Sequence, residues 1–210
     1  MRRRNTLVVA AVVIVTVPMA GCRTATSTAA VTDPVASSVP AAGTAGPLLA
    51  VHDPGHVTYV GGHPTGCHAG PGPTPDHRCT PGAIDPTITQ ATISTTICRA
   101  GYTATVRPPV AETDKAKAAQ YTAYGIPRGT ASELDHEVPL VLGGANDIAN
   151  LWPEAGKIPN PKDQVETTLA KAVCAGRVRL TDAQTAIAAD WTTAEKRLGL
   201  TNITDTVDGE

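Results

Sequence analysis

The chain contains no phenylalanine, and aromatic residues make up only 3% of its 210 residues. A core without large rings must be built from Ala, Val, Leu and Ile, and it stays small. Small cores usually need a staple such as a disulfide or a metal. An excess of basic charge is also missing, since the formal net charge is −2. That argues against a strong, non-specific nucleic-acid binder with a basic surface. It leaves room for an enzyme that holds its substrate briefly. There is no internal repeat, no heptad pattern and no standard zinc-finger spacing. The apolar run from Leu7 to Val17 is too short for a membrane span of ~20 residues.

What is present begins with a leader. Met1-Arg2-Arg3-Arg4 precedes the apolar run, and Pro18-Met19-Ala20-Gly21-Cys22 follows it. A basic start, a short apolar stretch and small residues before a cut site make a secretory signal. Because the small residues run directly into Cys22, the segment resembles a bacterial lipobox, with Met19 where Leu is usual. The resemblance implies a signal peptide over 1–21, lipidation of Cys22, and a lipid-anchored position on the extracytoplasmic face of the cell membrane. Residues 22–50 are mostly Ala, Thr, Ser, Val, Pro and Gly and read as a flexible tether. Export places the remaining four cysteines, Cys67, Cys79, Cys98 and Cys174, in an oxidising compartment. Four cysteines allow three pairings, among which sequence does not choose. A local clasp, Cys67–Cys79, and a long staple, Cys98–Cys174, are the preferred arrangement. The staple would contribute ~3–5 kcal/mol in the chain-entropy model.

Residues 51–82 form a Gly/Pro/His-rich loop region. It holds five of the six histidines: His52, His56, His63, His68 and His77. With Cys67 and Cys79 they suggest a zinc or copper site. The alternative is a surface loop closed by a disulfide, with solvated histidines, and export favours it.

From residue 83 to 200 the texture becomes that of a folded domain, with a tail at 201–210. Thr87–Ile97 is rich in Thr and Ile and predicts an extended segment. Val110 opens a helix that stops near Tyr124-Gly125, with Pro127 beyond. Leu134–Leu142 and Ile148–Trp152 predict two short strands around the turn cluster Gly143-Gly144-Ala145-Asn146-Asp147. Asn160-Pro161 reads as an N-cap followed by proline at the first helical position. That helix runs to about Ala175-Gly176. Thr181 with Gln184 reads as a capping box for a last helix carrying Ala183, Ile187 and Trp191 on one side. Trp152 and Trp191 are core anchors.

The sequence Leu134-Asp135-His136-Glu137-Val138-Pro139-Leu140, then Leu142-Gly143-Gly144, Asn146-Asp147 and Asn150-Leu151-Trp152-Pro153-Glu154, resembles an HNH (His-Me finger) endonuclease motif. The flanks Ile97-Cys98, Thr105-Val106-Arg107-Pro108-Pro109, Lys162-Asp163 with Glu166, and Val173-Cys174-Ala175-Gly176 are similar to those of exported bacterial HNH-like proteins. The resemblance covers about residues 79 to 198. It implies an α+β fold: a small ββα-metal core with flanking helices, stapled by disulfides. It implies an endonuclease that hydrolyses the phosphodiester bonds of DNA, with RNA as a second substrate, and no protein partner. His136 would be the general base, an imidazole being suited to take a proton from water near neutral pH. Asn150 would close a loop and orient that base. Asp135, on the opposite side of its strand from His136, would be one metal ligand. The helix ligand would be Asn160 by the family spacing, or Asp163, because no histidine follows His136. An Asp/Asn ligand set favours Mg²⁺ or Mn²⁺ over Zn²⁺. Capping alone also accounts for Asn160 and Asp163. Arg107, Lys157 and Lys162 are candidates for touching phosphate. Two other functions fit parts of the sequence. One is a binding lipoprotein that kept the frame and lost catalysis. The other is a metal-binding lipoprotein acting through the histidine-rich loop.

Overall fold

The longest helices set the core. In the computed structural model, which describes residues 46–200 except 54, 69–73 and 157, α1 spans Tyr102–Val106, α2 Val110–Ala123, α3 Pro161–Cys174 and α4 Leu180–Arg197. The signal peptide, Cys22, the tether up to residue 45, Lys157 and the tail 201–210 lie outside the described residues. No helix among the described residues is long and apolar enough to cross a membrane. Helix α3 presents Leu169, Ala172 and Val173, and α4 presents Leu180, Ala183, Ile187 and Trp191, to one buried cluster that also takes in Val138 and Leu142. Cys98 packs against this cluster and is bonded to Cys174, while Cys67 is bonded to Cys79. Trp152 is buried beside the second disulfide, with Ala123 and Tyr124.

Two small sheets complete an α+β fold. Strands β1 (Leu49–Ala50) and β2 (Ala83–Ile84) pair in parallel. Strands β3 (Ser132–His136) and β4 (Leu151–Ala155) are antiparallel, with Asp135 opposite Trp152 and His136 opposite Leu151. Helix α3 follows β4. It starts as its sequence predicts: Pro161 stands in the first turn and Asp163 accepts the Asn160 N–H at 3.0 Å, the return half of a capping box.

Several expected boundaries differ. Thr87–Ile97 is not extended; it forms turns with a 3-10 segment at Ile93–Thr95. Its threonines bond to nearby backbone instead of leaving it for a ladder: Thr92 Oγ1 donates to Thr87 O and Thr89 O, and Thr96 Oγ1 donates to Thr92 O. The first strand ends at His136, and after Pro139 the residues Leu140–Leu142 make a 3-10 turn. The second starts at Leu151, so Asn150 closes a 3-10 turn rather than sitting on a strand. Thr181 caps nothing: α4 begins at Leu180, whose N–H is met by Gln90 Oε1 at 2.8 Å, and Gln184 instead donates to Leu142 O at 2.8 Å. Asp190 leaves helical geometry within α4, and its carboxylate accepts the Thr192 N–H.

The division at 82/83 also fails to mark a structural boundary. All described residues belong to one unit, Val39–Glu210. Strand β1 pairs with β2 across that division, and Thr58 bridges to Asp147.

Candidate active site

The turn between β3 and β4 is built around Asn150. Its side chain is fully buried; Oδ1 accepts the N–H of Ala83 and of Val138, and Nδ2 donates to Val138 O and Ala145 O, all between 2.8 and 3.0 Å. All four of its hydrogen-bonding positions are therefore used. Gly144 permits this closure, because a Cβ there would lie 1.7 Å from Val138 O. Asn150 thus ties the loop together but makes no side-chain hydrogen bond to His136.

The residue that does touch the base is Asn146. Its Oδ1 lies 2.9 Å from His136 Nε2. Its amide can face only one way: Nδ2 donates to Asp53 Oδ1 at 2.6 Å and to Val106 O at 2.8 Å, both pure acceptors. Asn146 Oδ1 must then accept, so His136 carries its proton on Nε2 and its lone pair on Nδ1. Asp53 itself is buried and also accepts the backbone N–H of Asn146 at 2.6 Å. Burial pushes the His136 pKa below its ordinary value and outweighs the raising effect of Asn146 and Asp135. The imidazole is therefore neutral at pH 7, the state a general base requires. Sequence reading missed both partners. Asn146 stood in the turn cluster of the motif with no role of its own, and Asp53 lies in the loop region outside the motif.

His136 opens on a small polar cleft lined also by Arg107, Glu133, Asp135, Asp163 and Glu166. Arg107, at the end of α1, is exposed at its edge. Lys162, a candidate phosphate contact or solvated base by its sequence, is instead fully buried. Its ammonium lies 2.8 Å from Asp135 Oδ2 and 2.6 Å from Glu166 Oε1, and donates to His136 O at 2.6 Å. Carboxylates crowd this cation. Burial, with the charge of Asp135, pushes Glu154 up to about 8. Burial also pushes Glu166 up to about 7, against the lowering effect of Lys162. Glu137 is raised by burial, and Glu133 by burial with the charges of Asp135 and Asp163.

The expected Mg²⁺ or Mn²⁺ ligands are engaged elsewhere. Asp135 pairs with Lys162, Asp163 receives the Asn160 N–H, and Asn160 Nδ2 donates to Glu133 Oε2 at 3.0 Å. Asp135 and Asp163 line the cleft; Asn160 does not. Among the described residues no three His, Cys, Asp or Glu side chains are grouped so as to hold a metal ion. The residues as arranged do not fit a divalent cation, because an ammonium already fills the charge need of Asp135.

The histidine-rich loop shows the same lack of convergence. His52 pairs with Asp85 and His56 with Glu112, while His63 stacks on Tyr59. His77 Nδ1 is buried without a partner, and Cys67 and Cys79 are oxidised to a disulfide. Comparison with protein-family models, curated proteins and solved structures returns no match for the chain.

Proposed function

We propose that the chain is an exported hydrolase of phosphodiester bonds, an endonuclease of the HNH kind acting on DNA, with His136 as its general base. The observation that carries this reading is the chain of contacts Asp53–Asn146–His136, which holds a neutral imidazole with its lone pair on Nδ1 in a residue that lines a polar cleft. The motif around Asp135-His136 supplies the substrate class, and the order β3, turn, β4, α3 agrees with the ββα frame that the motif implies. In this reading His136 Nδ1 removes a proton from water, the oxygen forms a bond to phosphorus, and the P–O bond to the leaving oxygen breaks. Arg107 is the cation at the cleft edge that would offset phosphate charge. The lipobox resemblance extends the proposal to a lipid anchor at Cys22 on the extracytoplasmic face of the membrane, with DNA as the partner. No step is assigned to Mg²⁺ or Mn²⁺.

One observation favours a second reading, a binding lipoprotein that keeps the frame without catalysis: the charge of Asp135 is directed into the protein, onto Lys162. The purified protein and its His136→Ala variant, incubated with supercoiled plasmid in Mg²⁺, Mn²⁺ or EDTA, decide between the two. Nicking that is lost in His136→Ala, with an acid limb in the rate below pH ~6.5, is expected for the nuclease. A folded wild type that nicks nothing under any condition supports the binding reading.

A further inference from the structure

Lysine is almost never fully buried unless it is paired. Lys162, 1% exposed at its side chain, is paired in a particular way. Three oxygens surround its ammonium within 2.6–2.8 Å: Asp135 Oδ2, Glu166 Oε1 and His136 O. They come from three different sources: the carboxylate expected to bind metal, a carboxylate one turn along α3, and the backbone of the base residue. Two of its N–H donors are hydrogen-bonded, to Glu166 Oε1 and His136 O, and Asp135 Oδ2 lies at ion-pair distance, so the buried ammonium is occupied inside the protein rather than offered to a phosphate. The ammonium is also a compact, strongly localised charge, unlike a guanidinium. It meets oxygens of the kind that hard cations choose, namely carboxylates and a backbone carbonyl.

We propose that Lys162 stands in this site in place of a divalent cation, so that the wild-type protein has no Mg²⁺ or Mn²⁺ site built on Asp135. Lys162 is then a positioning residue. It neutralises Asp135 and Glu166 and ties down the carbonyl of His136, while the base acts from the other end of the same residue. The consequence for cleavage rests on the nuclease reading: hydrolysis continues when divalent cations are removed. The statement about the cation site does not rest on it.

Two measurements on the purified full chain separate these. Mn²⁺ titration followed by electron paramagnetic resonance is made on the wild type, Asp135→Asn, Lys162→Met and Lys162→Gln. The expected result is that the wild type leaves Mn²⁺ free at about millimolar concentration, whereas the Lys162 variants capture it at least about tenfold more tightly. That gain should disappear when Asp135→Asn is added. A wild-type Mn²⁺ site that Asp135→Asn removes would overturn the proposal, and so would a folded Lys162 variant that gains no Mn²⁺ affinity. Should neither Lys162 variant fold, the wild-type titration decides alone. In the plasmid assay, a rate unchanged within about twofold by EDTA is expected. Cleavage that stops in EDTA and returns with Mg²⁺ would overturn the role of Lys162 and leave the nuclease standing. No cleavage under any condition would remove the nuclease reading, and the Mn²⁺ titration would still judge Lys162.

Discussion

Replacing Asp53 by Asn tests how the base is held. Asp53 is 5% exposed and accepts the backbone N–H of Asn146 on Oδ2 and the Asn146 side-chain amide on Oδ1, each at 2.6 Å. Asparagine fills the same volume but turns one of the two acceptors into a donor. Wherever its NH₂ points, it faces an N–H of Asn146. One charge-assisted bond is lost and the other is weakened to a neutral one; such bonds contribute about 1.5–3 kcal/mol each. The expected destabilisation is therefore about 2–4 kcal/mol. For a domain of this size that lowers Tm by roughly 4–16 °C. A second effect is specific to the site. Asn146 can recover a partner at residue 53 by rotating its amide, giving up its bond to Val106 O, and it then offers His136 Nε2 a donor in place of an acceptor. His136 would answer by moving its proton to Nδ1, which removes the lone pair proposed to act as the base. Long-range ¹H–¹⁵N correlation spectra of the imidazole read the tautomer directly, without substrate. The wild type should show the proton on Nε2, and Asp53→Asn should show a new Nδ1–H population along with the lower Tm. A wild-type Nδ1–H tautomer would refute the reasoning, as would an Asp53→Asn protein with unchanged Tm and unchanged tautomer.

Two further outcomes follow from the carboxylate cluster and the staple. Glu154 and Glu166 have native pKa values raised to about 8 and about 7, so the native state holds protons that the unfolded chain releases near pH ~4.3. Their stabilising contribution is complete below that value and is lost as pH rises through 7 and 8. The urea midpoint should fall from pH 6.5 to about 8, the last part of a loss that begins above pH ~4.3, and then level off, and Glu154→Gln should flatten that fall; a midpoint that rises would contradict the assignment. His136, with its lowered pKa, acts in the opposite sense but only below pH ~6.5. The double change Cys98→Ser/Cys174→Ser opens a link of sequence separation 76 and should cost about 4 kcal/mol in denaturant unfolding. Opening Cys67–Cys79, of separation 12, should cost less.

The sequence made some of this readable and hid the rest for identifiable reasons. The start of α3 was legible because Asn160, Pro161 and Asp163 each carry a local signal, a cap, a fixed φ and a capping partner. The turn that Asn150 closes was legible because Gly143-Gly144 and the following Asn form a compact motif. Lys162 was misread, although a signal existed. Lys162, Glu166, Leu169 and Val173 recur at helical spacing, which puts the lysine on the same face as core residues Leu169 and Val173. A Lys–Glu pair at i,i+4 ordinarily reads as a solvated surface pair, and only packing under β3 makes it a buried one. The Thr87–Ile97 error has a similar root. β-branched residues signal a strand only when a partner strand is at hand, and without one the threonine hydroxyls bond to their own backbone.

Asp53 had no local signal at all, since its partner Asn146 lies 93 residues away. Yet the pair Asn146-Asp147 shows why so distant a residue is needed. Asn146 takes hold of the base on one side and of Asp53 on the other. Asp147, one residue on, accepts Thr58 Oγ1 and the N–H groups of Val60 and Gly61 between 2.7 and 3.1 Å. Two adjacent residues of the turn therefore clamp the same upstream segment, one through its carboxylate at 53 and one through its backbone at 60–61. The contacts that hold Asp53, Thr58, Val60 and Gly61 and the contact that orients His136 therefore depend on the same two turn residues. A chain cut down to 83–200 would keep every residue of the Asp135-His136 motif, its disulfide Cys98–Cys174 and the three long helices α2, α3 and α4. It would lose one of the two acceptors that determine which way Asn146 faces, and Val106 O alone would remain to keep the His136 proton on Nε2.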